Sequence, residues 1–162
     1  MADRLYLSWA SIRGLKNTAG AGINTEFRGS FKNSKIESIA SDEKTKIVLH
    51  AVFTLAGQEF IAFESNMKHD FDFSPAISFL VNCDTQEEVN YYWEKLSEGG
   101  DKKAQQCRWL KDKYGLSWQI VPYVLGELLQ GKDSLKSERV MKALLQMKKI
   151  DIRKLKEAYG QK

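Results

Sequence analysis

The stretch KIVLHAVFTL, AG, QEFIAFES (46–65) constrains the fold more than any other part of the chain. Two alternating segments joined by two small residues close naturally as an antiparallel hairpin, because successive side chains of a strand point to opposite faces. Such a hairpin has one apolar face and must bury it under other elements. SKIESIAS (34–41) supplies a short strand before it. The loop NMKHDFDFSP follows, and Pro75 marks the entry to the next strand, AISFLVNC (76–83).

A helix comes next. Thr85 and Glu88 form a capping box, acidic residues fill the first turn, and Gly99-Gly100 stop it. Val89, Tyr92, Trp93 and Leu96 recur at helical spacing and predict one buried face. Two more strands are expected at QQCRWLK (105–111) and LSWQIV (116–121), joined by the DKYG turn. Beyond Pro122 the pattern is helical: YVLGELLQG, then SLKSERVMKALLQMKK with a stripe of Leu135, Val140, Leu144 and Met147, then DIRKLKEAY opened by an Asp151 cap. This order makes the chain α+β, and tandem βαβββ modules would produce it if residues 1–33 hold a first strand and helix. DRLYLSW can serve as the strand. SIRGLKNTAGAGINTEFRGS is a poor helix, since each interior glycine costs about 1 kcal/mol relative to alanine. The expected organisation is a first module over 1–66, a second over 74–122 and a helical extension over 123–162, in one structural domain.

With 162 residues, 43% hydrophobic and 28% charged, the chain suits one well-buried globular domain. No apolar run has the length of a membrane span, and MADRLYLSWA lacks the features of a secretory signal, so a cytoplasmic location with no membrane partner is expected. Cys83 and Cys107 belong to no metal-type spacing and read as free thiols; no base near Cys107 in the sequence marks it as a nucleophile. From Lys132 to Lys162 there are ten Lys/Arg against four Asp/Glu. Those charges interleave with apolar residues at helical spacing and lack a stacking aromatic stripe, so they read as a solvated helix face rather than a nucleic-acid surface.

The segments KNSKIES, HAVFTLAGQEF, SPAISFLVNCDTQEEVNYYWEKLSEGG, WLKDKYGLSWQIVP and VMKALLQMKKIDIRKLKEAY together resemble the PhnB-like, 3-demethylubiquinone-9 3-methyltransferase-like branch of the vicinal-oxygen-chelate superfamily. Glyoxalase I, bleomycin- and fosfomycin-resistance proteins and extradiol dioxygenases share that superfamily. The resemblance runs from about Phe31 to Tyr159. It departs at residues 10–30, where the Ala- and Glu-rich first helix is not seen, and at Cys107-Arg108-Trp109, where relatives often read C-G-W. The resemblance implies a cupped eight-stranded mixed sheet, the glyoxalase/bleomycin-resistance fold, with a C-terminal helical tail, commonly as a homodimer. In catalytic members four His/Glu positions surround a divalent metal that acts as a Lewis acid.

Strand alternation assigns faces to that sheet. Leu49, Ala51, Phe53 and Leu55 form a helix-facing row, leaving His50, Val52 and Thr54 in the cup. On the next strand Ile61 and Phe63 are expected under the helix, with Phe60, Ala62 and Glu64 inward. Ile77, Phe79, Val81 and Cys83 form the apolar row of the fifth strand, opposite Ala76, Ser78 and Leu80. On the last strand Leu116, Trp118 and Ile120 pack outward while Ser117, Gln119 and Val121 face the cavity.

Asp112, Gly115 and Gln119 follow the spacing D-x-x-G-x-x-x-Q, and Gln119 sits where the superfamily commonly has its final metal-binding glutamate. Ala76 stands near the place of the second module's histidine, Glu64 could replace the first module's acid, and the first strand offers no histidine. Even with His50, these donors are too few for zinc, so no metal and no cofactor are expected. His50, Glu64, Ser78 and Gln119, with Trp109 as a wall, would still make a small polar set on an apolar lining, the usual make-up of a small-molecule site. The expected function is metal-free binding of a small organic ligand. One alternative is a lyase, isomerase or transferase of the superfamily using Glu64 or His50 as general base. Another is a non-catalytic assembly protein with a vestigial cup. No glycine-rich loop after a strand supports binding of a nucleotide-like methyl donor, so the family's methyltransferase label has no motif behind it here.

Overall fold

The computed structural model describes residues 5–7, 31, 34–41, 48–63, 70, 73–131 and 133–160. The segment expected to hold the first helix, Glu64 and His69 lie outside the described residues. The chain divides into two compact units, Met1–Phe73 and Ser74–Lys162.

In the first unit β1 (Leu5–Leu7), β2 (Lys35–Ser41), β3 (Val48–Leu55) and β4 (Gln58–Phe63) form one sheet in the order β1-β4-β3-β2. β1 runs parallel to β4, and the other neighbours are antiparallel. The hairpin closes through Ala56 and Gly57, both at positive φ (50° and 83°), as the twist of a two-residue turn requires. That turn fixes the register: Leu55 faces Gln58, Phe53 faces Phe60 and Ala51 faces Ala62.

Directly opposed residues share a face, so Phe60 and Ala62 lie with the buried row Ala51, Phe53 and Leu55, and Ile61 lies with Val52. This reverses the sequence expectation for β4. The reversal is a matter of parity, because each strand alternates cleanly but the alternation alone does not say which parity meets which across a turn. The rings of Phe53 and Phe60 stack with centroids 5.6 Å apart, an attraction that the reversed parity would forfeit.

The second unit repeats the theme. β5 (Ser78–Cys83) leads to α1 (Gln86–Ser97), a short 3-10 turn, β6 (Trp109–Lys111) and β7 (Ser117–Pro122). The sheet order is β5-β7-β6, with β5 parallel to β7 and β6 antiparallel to it. The place of a further strand beside β6 is taken by Gln106 alone, bridged to Trp109. Residues 105–111 are thus not one continuous strand. Cys107 (φ 47°) and Arg108 (φ 72°) are the centre of a tight reversal in which Trp109 N–H donates to the Gln106 carbonyl at 2.8 Å.

The N-terminus of α1 is capped as its sequence predicts. Thr85 Oγ1 accepts from Glu88 N–H at 3.2 Å, while the Glu88 carboxylate accepts from Asp84 N–H at 2.8 Å. Val89, Trp93 and Leu96 are buried, packing the helix over Leu110, Trp118 and Ile120. Ile77, expected in the buried row of β5, precedes the strand and is 71% exposed. Ala76, expected on the cup side, lies in the turn before it.

Helices α2 (Tyr123–Leu129), α3 (Ser134–Leu145) and α4 (Ile152–Gly160) then pack on one another, with α2 also against β7. Asp133 caps α3, and the Asp151 side chain accepts from Lys154 N–H. Of the expected stripe, Val140 and Leu144 are buried, whereas Leu135 in the first turn is exposed. Gln86 ties α1 to this layer: its amide donates to the Ile150 carbonyl at 3.0 Å and accepts from Ile152 N–H at 2.8 Å. Among the described residues no helix is long and apolar enough to cross a membrane.

Candidate functional site

The hairpin between β6 and β7 carries the D-x-x-G-x-x-x-Q spacing, and its two ends do different work. Asp112 is buried beneath the turn. One carboxylate oxygen accepts from Tyr114 N–H at 2.9 Å and Leu116 N–H at 3.0 Å, and the other accepts from the Trp118 indole at 2.8 Å. Gly115 sits at φ 86°, a conformation that side chains disfavour. Asp112 and Gly115 are thus turn chemistry. Burial pushes the Asp112 carboxyl above its ordinary range, against the opposing pull of the hydrogen bonds from Trp118, Leu116, Tyr114 and Gly115.

Gln119 lies on the opposite face of β7 from Trp118 and Ile120, which are covered by α1. Its amide is used at both ends. Oε1 accepts from Arg108 Nε at 2.9 Å, and Nε2 donates to Ser78 Oγ at 2.8 Å. The parallel pairing of β5 with β7 makes this possible, setting Ser78 beside Ser117 and Leu80 beside Gln119. Trp109 is the register partner of Gln119 on the other side. Ser78, Gln119 and Trp109 therefore come together on one face of the second unit, half-buried, next to Leu80, which is 52% exposed.

His50 lies in the first unit, half-buried on β3, in register with Ala40 on one side and Phe63 on the other. Glu64 is outside the described residues. Cys107 is half-buried in the turn before β6, its thiol directed at the Leu145 carbonyl at 3.7 Å. It lies before the strand that begins at Trp109 and is not part of it.

Sequence reasoning missed Arg108, which it noted only as a departure from C-G-W. Its backbone N–H and that of Cys107 donate to the Lys148 and Met147 carbonyls at 2.9 and 2.8 Å, so the segment after α3 anchors the turn from behind. The departure from glycine was the available signal. What it could not reveal was where a side chain at that position would reach.

Among the described residues no three His, Cys, Asp or Glu side chains come together as a metal-binding group. The second unit's contribution also suits a cation poorly, since the amide oxygen of Gln119 already faces a guanidinium. What Arg108, Gln119 and Ser78 offer is a positive charge and hydrogen-bond donors. Such a set suits recognition of a polar or anionic group.

Two strand sets, each with its first and last strands paired in parallel, define a member of the vicinal-oxygen-chelate superfamily with the glyoxalase/bleomycin-resistance fold. A family model described as 3-demethylubiquinone-9 3-methyltransferase matches residues 19–121. A PhnB protein from Bacillus cereus, described as a 3-demethylubiquinone-9 3-methyltransferase, is 31% identical; the match covers 75% of this chain and 98% of that one, with a TM-score of 0.60. The chain belongs to the 3-demethylubiquinone-9 3-methyltransferase family. A protein from Pseudomonas aeruginosa shares the fold at 13% identity and TM-score 0.53, over 75% of this chain and 97% of its own. The fosfomycin resistance protein FosX from Listeria monocytogenes does so at 16% identity and TM-score 0.50, over 80% of this chain and 96% of its own. Comparison with curated proteins gives no match.

Proposed function

We propose that this protein binds a small organic molecule without a metal, using the sheet face that carries Ser78, Gln119 and Trp109. One observation carries the reading: the Gln119 amide is held between Arg108 and Ser78. In the superfamily this position commonly supplies a metal-binding carboxylate. An amide in its place removes one negative charge, and the neighbouring guanidinium adds a positive one, so the electrostatics favour an anionic or polar guest over a cation. The exposed Leu80 and half-buried Trp109 beside this set provide the apolar contact such sites use.

The proposal extends to a cytoplasmic homodimer that engages neither nucleic acid nor membrane. Exposed Tyr123, Leu135, Met141 and Leu145 on the helical layer of the second unit support self-association. Light scattering across a concentration series tests the dimer.

Thermal-shift screening of small aromatic and quinone-like compounds tests the binding reading, because a ligand for the native state must raise the melting temperature. A hit whose shift vanishes in Gln119→Ala supports it. Stoichiometric uptake of zinc, manganese or nickel by the purified protein overturns its metal-free part. Transfer of label from a nucleotide-type methyl donor to a demethylated quinone would replace binding by catalysis. His50→Ala and Glu64→Gln ask separately whether the first unit contributes. A turnover activity lost in either variant favours the general-base reading.

A further inference from the structure

We propose that Arg108 seats a carboxylate of the bound molecule. This rests on the binding role proposed above and gives it a ligand class, a small carboxylic acid with a flat apolar body.

The guanidinium is oriented but not used up. Its Nε is committed to Gln119 Oε1 at 2.9 Å, and Gln119 is in turn fixed by Ser78. Two Nη groups remain, and their outward hydrogens form the end-on fork that matches the two oxygens of a carboxylate. Among the described residues no carboxylate lies within ion-pair distance of Arg108. Arg108 is half-buried as a residue, and an anionic guest would supply its guanidinium with a counter-ion.

The backbone points the same way. Arg108 sits at φ 72°, where any residue but glycine is strained, and the turn is pinned by hydrogen bonds to Met147 and Lys148. Backbone preference alone would select glycine here; the arginine needs a reason in its side chain. Leu80 and Trp109 flank Gln119 in register, one on each side, and so share its face. They set apolar surface beside the charge, which fits an aryl acid better than a small hydrophilic one.

Calorimetric titration with benzoate, 2-naphthoate and the two matching amides tests the seat. The acids are expected to bind about tenfold more tightly than the amides, the equivalent of one charge-assisted hydrogen bond. That preference should disappear in Arg108→Gly, a variant whose fold is favoured by the left-handed backbone, and fall to an intermediate value in Arg108→Lys, which keeps the charge without the fork. Amides that bind as tightly as the acids overturn the carboxylate seat and leave the binding role standing. An acid preference that survives in Arg108→Gly overturns it too. Inorganic phosphate binding more tightly than either acid moves the site to tetrahedral anions, against the proposal. Failure of all four compounds, together with silence in the wider screen, removes both readings.

Discussion

Replacing Asp112 with asparagine keeps the size of the side chain and changes one end of it. The Oδ1 bonds from Tyr114 and Leu116 N–H survive, since an amide oxygen accepts as a carboxylate does. The other end, which accepts from the Trp118 indole at 2.8 Å, becomes an NH2 group facing an N–H. A hydrogen bond to a charged group is lost and a buried indole donor is stranded, Trp118 being 3% exposed. Together these cost about 2–4 kcal/mol, reduced somewhat because a buried charge is also removed.

Urea denaturation followed by tryptophan fluorescence measures this as a lower midpoint at unchanged slope. The pH dependence supplies a second check. Burial raises the Asp112 carboxyl in the folded protein, so between its ordinary and its raised value the native state binds a proton that the unfolded chain does not. Wild-type stability relative to Asp112→Asn should therefore grow as pH falls through that window and level off below the ordinary carboxylate value. A variant within about 0.5 kcal/mol of wild type would refute the clamp, since surface substitutions lie in that range.

Two glycines should separate by mechanism. Gly115→Ala meets nothing within 4 Å and pays only for its φ of 86°, about 1–2 kcal/mol, whereas a Cβ at Gly100 collides with the Lys111 carbonyl, so Gly100→Ala should have the lower denaturation midpoint. Gln86→Ala removes both bonds between α1 and the α3–α4 connection and should cost roughly 1–3 kcal/mol, with faster amide exchange at Ile152. Iodoacetamide at mildly alkaline pH should label Cys107 in the native protein and spare Cys83, whose thiol is pushed up to about 12 by burial and by Glu88 and Asp84; mass spectrometry of the peptides reads the ratio.

Much of the second unit was legible in the chain. The capping box at Thr85 and Glu88, the apolar face of α1, the DKYG turn and the helical tail all depend on contacts a few residues apart, and local spacing encodes those directly. The fold class was readable as well, because the order of strands and helices leaves few right-handed ways to connect them. Errors arose where a strand's partner had to be known. Phe60 and Ala62 were assigned to the wrong face because parity across Ala56-Gly57 is set by pairing, and Gln105–Arg108 read as strand though the chain reverses there.

The sequence by itself determined most of the elements, their order and the amide at Gln119. Tertiary structure alone decided what that amide is joined to. Ser78 stands 41 residues from Gln119 and meets it only through the parallel β5–β7 pair. Arg108 reaches the same amide only because its turn is pinned by carbonyls after α3, nearly forty residues further along. Periodicity reports which way a side chain points from its own strand; the atoms it meets depend on contacts distant in the chain, which no local pattern records.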